Sequence, residues 1–535
     1  MDGLISTAFG QKSPNSVTQN NSHRQYLTGQ LIAEYKGVFG KHDINVLGGW
    51  SAEENLYEDL QGKRTNIVGN ELPALNLGDT DGWSNAADEN EWALLSGFMR
   101  ASYAFAAKYL VEVNFRADAS SRFSKKNRWG VFPSASVGWR ITEEKFMQNQ
   151  HIFDNLKLRA SWGQLGNQNG LGLYDHIASY NINGYYPFKS ELGQWAVISK
   201  LPSESRTWET VEVKNIAVDM AFLRNRLTVT GEYFIKKNKD MLVSIEIPSI
   251  IGIDVPTGNY GELKVKGWEV TVGWQDKIKD FSYGARFNLS DQKDKLVDYG
   301  VEYNGFVAGV NQKVQGYSLG SIFGYRTDGY FTSEEEVKNS AAFNKAITGV
   351  GDIKYIDKDG DGKISAPNDL EYLGTTTPRY TFGLNLTAAW KGFDLGVLLQ
   401  GVGKRNFYLS SEVMNPYYAT WNNFSYKMHN DYWTPENPNA AFPRYYAGAN
   451  HNYQISDHWL QNAAYVRLKN LQLGYTISPK LTKSWGIQRL RVYFSGDNLC
   501  EYSKLNDNFD PELSDINGYV YPIMRNFSFG INVTL

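Results

Sequence analysis

From Tyr109 to Asp118 the chain reads Tyr-Leu-Val-Glu-Val-Asn-Phe-Arg-Ala-Asp. Tyr109, Val111, Val113, Phe115 and Ala117 hold one parity, while Glu112, Asn114, Arg116 and Asp118 hold the other. Val131, Ala135, Val137, Trp139 and Ile141 repeat the period against Ser134, Ser136, Gly138 and Arg140; Leu156, Leu158, Ala160 and Trp162 repeat it against Lys157, Arg159 and Ser161. A period of two sends alternate side chains to opposite faces of a strand. The stretch from Trp92 to Gly163 therefore predicts successive antiparallel strands, each with an oily face and a wet one.

The 535 residues exceed one ordinary globular core. Even so, no Pro/Ser-rich joint, charge block or low-complexity tract divides them, so residues 1–535 read as one continuous architecture. Aromatics make up 14% of the chain, beside 50 Gly, which suits many strands with amphipathic rings at a water boundary. Mean hydropathy is -0.45. No apolar run is long enough for a membrane helix, but a membrane barrel hides its hydrophobicity in alternation. The formal net charge of -3 argues against a nucleic-acid binder, and the single Cys500 against a disulfide framework or a thiolate zinc site. Met1-Asp-Gly-Leu4 shows no basic or apolar leader, which suggests a start inside a longer parent.

Alternation predicts about fifteen strands, near 24–36, 43–54, 92–104, 109–119, 130–141, 155–163, 209–222, 226–237, 263–275, 281–292, 379–390, 393–402, 463–477, 489–500 and 523–535. Connections between them alternate short and long. Lys391-Gly392 reads as a two-residue hairpin turn, whereas 293–378 and 403–462 are large insertions. In an up-and-down sheet alternate connections share a rim, so one rim carries tight turns and the other all the large loops. That asymmetry marks an all-β, antiparallel outer-membrane barrel with short periplasmic turns and long extracellular loops. The terminal strand, with Phe527, Phe529, Ile531, Val533 and Leu535 on one parity, is expected to pair with the first strand and close the wall.

Gly316-Tyr-Ser-Leu-Gly320 fits the nucleophile-elbow pattern, but the residues after it read as strand or loop and no acid or histidine partner is marked. The seven histidines are scattered without metal or triad spacing. Asp357-Lys-Asp-Gly-Asp-Gly-Lys-Ile364 matches the opening of a calcium loop. Asp357, Asp359 and Asp361 supply carboxylates there, and Lys363 supplies a carbonyl. The pattern departs at its end, where Asn368 stands in the twelfth position and Asp369 follows one step late. The expected role is structural ordering of a long surface loop; a solvated acidic turn is the alternative. Aromatic clusters in the loops, among them Trp83, Trp195, Tyr417, Tyr418, Trp421 and Trp433, serve either as stacking surfaces for substrate or as small cores of the loops themselves.

Several segments together resemble a SusC/RagA-type TonB-dependent outer-membrane transporter. They include Arg116-Ala-Asp-Ala-Ser-Ser-Arg-Phe123, Trp129-Gly-Val-Phe-Pro-Ser134 and Leu156-Lys-Leu-Arg-Ala-Ser-Trp-Gly163. Gly351-Asp352 ahead of the acidic loop, Tyr465-Val-Arg-Leu-Lys-Asn-Leu471 and Ser495-Gly-Asp-Asn-Leu499 extend the match over nearly the whole chain. The resemblance implies a barrel of about 22 strands with an N-terminal plug. It also implies coupling to TonB-ExbB-ExbD, a SusD-like surface lipoprotein as partner, and import of glycan or peptide fragments. No enzyme activity is implied. The chain corresponds to the C-terminal barrel portion, with no counterpart for the plug, the TonB box and roughly the first seven strands. Free sheet edges in lipid cost several kcal/mol per unpaired group, so the piece is expected either to need those strands or to close on itself. The alternative function is a non-transporting barrel remnant that binds surface glycans or acts as an adhesin.

Overall fold

The computed structural model describes residues 14–68, 71, 73–188, 191–244, 250, 257–300, 306–417, 427–513 and 523–535. Strands dominate it, beginning with β1 (Ser16–Phe39), β2 (His42–Thr65), β3 (Ser84–Phe105), β4 (Tyr109–Ser120), β5 (Trp129–Arg140) and β6 (Phe153–Asn167). A separate hairpin, β7 (Ser179–Phe188) and β8 (Glu191–Lys200), precedes β9 (Glu209–Phe222), β10 (Leu227–Val243), β11 (Gly258–Ile278) and β12 (Phe281–Asp298). Next come the short loop strands β13 (Gly309–Gln312), β14 (Ser321–Tyr325), β15 (Thr327–Tyr330), β16 (Ile353–Tyr355) and β17 (Leu370–Thr375). They lead to β18 (Arg379–Trp390), β19 (Phe393–Lys404), the loop strands β20 (Asn406–Tyr408) and β21 (Leu460–Asn462), then β22 (Tyr465–Ile477), β23 (Arg489–Ser503) and β24 (Asn526–Thr534).

Fifteen of these make one antiparallel sheet in the order β1-β2-β3-β4-β5-β6-β9-β10-β11-β12-β18-β19-β22-β23-β24. Every one of the fifteen coincides with a strand expected from alternation. Register shows why the alternation was informative: Tyr103, Val111, Val137, Ala160, Ile216, Tyr233 and Trp268 stand opposite one another in a single row across seven strands. A lower row runs Trp139, Leu158, Val218, Gly231, Val270, Leu289 and Phe382. The oily band is continuous because neighbouring strands register apolar on apolar. Among the described residues no second sheet covers it; Trp50 is 65% exposed and Phe529 is 83% exposed. Such a surface is stable only against lipid. Among the described residues no helix is long and apolar enough to cross a membrane.

The tight turns lie where they were expected. Lys391 and Gly392 have φ of +45° and +94°, the paired positive values of a hairpin turn that follows strand twist. Ala106 and Ala107 take the same conformation without glycine, at φ +51° and +54°. Between β5 and β6 the connection holds two single 3-10 turns, Ile141–Glu143 and Lys145–Met147.

Three features differ from expectation. First, β1 and β2 pair over 24 residues each, well past 24–36 and 43–54. Such strands reach about 80 Å at 3.3 Å per residue, several times the apolar band. Outside lipid both faces meet water, the period of two disappears from the sequence, and backbone pairing alone extends the ribbon. Second, the connection between the strands expected at 155–163 and 209–222 contains a hairpin of its own, β7–β8. Third, no ladder joins β1 to β24 among the described residues: each end strand pairs on one side only, so the expected closing pair is not formed.

Candidate functional site

The wet face of the wall is a set of mutually satisfied polar side chains. On β4, Arg116 Nε donates to both Asp118 oxygens at 2.8 and 2.9 Å and its Nη2 to Ser96 Oγ at 2.9 Å. Between β6 and β9, Arg159 donates to Asp219 at 2.7 Å and lies 3.5 Å from Glu232. Further round, Arg491 pairs with Asp394 and Gln472, and Asn470 with Asp497. Strand parity presents these groups inward, in mixed sign. They line open hollows, one of about 700 Å³ beside Asp43, Glu112, Lys157 and Arg159. A surface of this kind hydrates a passing polar molecule without trapping one charge type.

Above the wall, segments 306–378, 405–417 and 427–464 fold together instead of standing as separate loops. β14 pairs with both β13 and β17, β15 pairs with β16, and β20 pairs with β21. Their shared core contains Tyr325, Ile353, Tyr355, Leu370, Tyr408 and Trp459, closed from the last long connection by Leu505. Burial holds the phenols of Tyr355, Tyr408 and Tyr453 well above their ordinary value, so they pack as neutral rings. A fully buried carboxylate, Asp352, anchors the centre and accepts from the amide of Gly349 at 2.8 Å and from Tyr446 Oη at 3.1 Å. A smaller core of Phe123, Phe132, Leu171 and Trp208 seats the loop after β4.

The aromatic residues singled out from sequence divide among these bodies. Tyr417 and Tyr432 both approach the Tyr445 ring, at 5.8 and 5.4 Å. Neighbouring Trp433 is half-buried against Gly351, and its indole nitrogen is buried with no hydrogen-bond partner. Trp195 stands on β8 opposite Gly184, and Trp83 lies exposed just before β3. No ring contact joins either of them to the Tyr417 group among the described residues. Tyr418 and Trp421 lie outside the described residues. Sequence reading missed Tyr325, Tyr355, Tyr408, Tyr453 and Trp459. They share no period, and the only available signal was the sheer density of aromatics in polar loops.

In the acidic loop, carboxylate oxygens of Asp357, Asp359 and Asp361 lie within 4.8 Å of one another. Gly360 and Gly362, at φ +76° and +84°, make the bend, and their amides donate to Asp357 at 2.7 Å. Those amides, Gly362 first, hold the Asp357 carboxyl below the usual carboxylate range. Lys363 donates its amide to Asp361 at 2.8 Å. Asp369 is turned away: it is buried, and its two oxygens accept from the amides of Lys358 and Ser365 at 2.8 and 2.7 Å. Asn368 donates to Asp359 at 2.8 Å. The set therefore fits an oxygen-liking divalent cation through three carboxylates and one carbonyl, completed by water, with Asp369 stapling the loop ends.

Ser318 is part of a turn. Its hydroxyl donates to Asp294 at 2.5 Å, and Ser321–Tyr325 continues as strand where an elbow needs a helix.

Comparison with known proteins agrees with this architecture. Residues 3–499 match the family described as TonB dependent receptor-like, beta-barrel. TonB-dependent receptor P26 of Formosa agariphila is 30% identical over 530 residues, covering 94% of this chain and 52% of the relative. TonB-dependent receptor SusC of Bacteroides thetaiotaomicron is 28% identical over 463 residues, covering 82% and 43%. The chain thus spans about half the length of the curated relatives it matches. The RagAB peptide transporter superposes with a TM-score of 0.83 at 24% identity, over 96% of this chain and 56% of that one. The chain, similar to SusC and to RagAB, belongs to the TonB-dependent receptor-like β-barrel family, a family of outer-membrane transporters.

Proposed function

We propose that this chain supplies most of the wall and the extracellular rim of a TonB-dependent importer of nutrient oligomers, working beneath a SusD-like surface lipoprotein. The observation that carries the reading is the pairing of a charge-balanced polar inner face with one packed domain of loops above it. A lumen of this kind passes hydrated chains, and a rigid rim gives a lipoprotein lid a defined seat. Tyr417 and Trp433 face substrate at that rim, with Trp83 and Trp195 as outlying contacts. Glycan and peptide fragments are the two substrate classes, after the relatives named SusC and RagAB. Energy coupling through TonB-ExbB-ExbD belongs to the plug. A divalent cation, calcium by donor chemistry, holds the loop from Asp357 to Asp369 in place.

A strain lacking the gene, grown on single oligosaccharides and on defined peptides as sole nutrient, tests the proposal. Loss of growth on one class, restored by the intact gene and not by a version lacking residues 306–378, supports it. Unchanged growth and uptake on every substrate whose transport needs TonB, with surface glycan binding lost instead, would favour a non-transporting surface protein.

A further inference from the structure

On strands β9–β12 the lipid-facing side of the wall changes character abruptly above its oily band. Opposite Trp162 on β6 stands Lys214; the same row continues through Ile235 to Lys266 and Lys293. One row higher, Glu212 is followed by Lys237, Lys264 and Lys295. Register partners share a face, so all six lysines point outward, directly above the apolar row of Ala160, Ile216, Tyr233 and Trp268. Glu212 takes Lys214 and Lys239, at 3.2 and 2.5 Å, and Glu262 takes Lys237 at 3.6 Å. Lys264, Lys266, Lys293 and Lys295 have no carboxylate within ion-pair distance among the described residues, and Lys266, Lys293 and Lys295 are exposed.

Two further observations give the patch a direction. Immediately beneath Lys214 the wall is hollowed into a shallow groove of about 620 Å³, floored by Ala135 and Ala160 and walled by Trp162, Ile216 and Tyr233. On β2 and β3 the same row carries no charge: from Trp162 it runs through Ala135 and Val113 to Ala101 and Val46. The lysines are therefore not a uniform collar around the barrel.

We propose that strands β6 and β9–β12 bind an anionic outer-leaflet lipid carrying more than one phosphate, with an acyl chain in the Ala135–Ala160 groove and its phosphates on the lysine rows. Lipid tails fill any apolar groove equally well, so selectivity comes from the headgroup. Neighbouring lysines within a row stand about 4.8 Å apart at the backbone, and the rows are about 7 Å apart. Four uncompensated ammonium groups over that span exceed what one phosphate neutralises, and they match a multiply phosphorylated headgroup at the level where headgroups begin.

The test compares the full-length protein, purified from outer membrane, with Lys266→Gln/Lys293→Gln/Lys295→Gln. Heat modifiability on a gel verifies that the variant wall folds. Both are incubated in mixed micelles with bisphosphorylated lipid A, monophosphorylated lipid A or phosphatidylcholine, and retained lipid is counted by native mass spectrometry. Expected is retention in the order bisphosphorylated, monophosphorylated, zwitterionic, a loss of about tenfold or more in the triple variant, and no displacement by millimolar inorganic phosphate. Equal retention by wild type and variant overturns the proposal. So does displacement by inorganic phosphate, which would mark a free-anion site. A change in oligomeric state without a change in bound lipid also overturns it, by giving the patch to a second copy of the protein.

Discussion

His451 and Asp352 lie 99 residues apart in sequence, and the ring Nε2 of one donates to a carboxylate oxygen of the other over 2.9 Å, out of reach of water. Asn452 Nδ2 donates to the second carboxylate oxygen of Asp352, also at 2.9 Å. Replacing Asp352 by Ala strands these donors together with the Gly349 amide and Tyr446 Oη. The expected loss is about 3–5 kcal/mol, the cost of breaking a buried polar network from one side. Hydrogen exchange checks it: peptides covering 350–356 and 444–459 open early, while wall peptides and heat modifiability stay as in wild type. Wild-type exchange in those loop peptides would refute the anchoring role.

Acid should loosen the same domain before it touches the wall. Burial lowers the imidazoles of His429 and His458 below their ordinary value near 6.5; each keeps its Nε2 proton on a carbonyl, Val413 O at 2.8 Å and Ala441 O at 3.1 Å. The unfolded loops take up protons as pH falls through about 6.5, the folded ones resist, and folding is penalised from there down to the folded values, where the penalty levels off. Asp357 adds a second loss in a lower window, since its depressed pKa stabilises the fold only above the range in which it protonates. Loop-domain melting followed at about pH 7.5 and about pH 5 should show a lower midpoint in acid. In His429→Asn/His458→Asn that difference should shrink.

Arg467 is buried to 1% exposure, facing Glu501, Asp510 at 2.6 Å and Glu512 at 3.1 Å. Beside it Arg405 donates to the carbonyl of Leu513 at 2.7 Å. These two cations hold the connection after β23 against the loop core. Arg467→Ala leaves three carboxylates crowded, at about 3–5 kcal/mol. Limited proteolysis should then cut within 504–513 well before wild type is cut anywhere. Arg467→Lys is expected to fall between the two, because an ammonium cannot serve the carboxylates with a planar fork. Equal protection in all three proteins would mean that the connection is held by Leu505 alone.

Metal removal addresses the acidic loop. With calcium at a hundred times its dissociation constant, the loop domain gains about 2.7 kcal/mol if only the folded form binds. A chelator should therefore lower loop-domain stability in wild type and leave Asp357→Asn/Asp359→Asn unchanged. Asp369→Asn should weaken the loop with or without calcium, because Asp369 serves amides and not the ion. A chelator effect of equal size in the double variant would exclude this loop as the site.

Tyr109, Val111, Val113 and Phe115 announce their strand because lipid on one side and water on the other impose a period of two that any reader of the chain can see. All fifteen wall strands, their order and the sorting of turns from loops were legible on that basis. So was the bend of the acidic loop, whose residues are neighbours in sequence. Where β1 and β2 leave the membrane, both faces meet water and the signal fades.

The loop domain was decided by tertiary structure alone. Trp459, Tyr355 and Tyr408 carry no signal in the linear chain and become a core only when strands from widely separated segments enclose them. Asp352 reads as one more acid until a histidine and an asparagine from the far side of an insertion reach it. The lysine rows, too, exist only in register, since Lys214, Lys266 and Lys293 come from three strands. Alternation is a local consequence of two solvents and survives in the linear chain. Packing and cross-strand charge depend on which distant segments meet, and no period in the chain records that meeting.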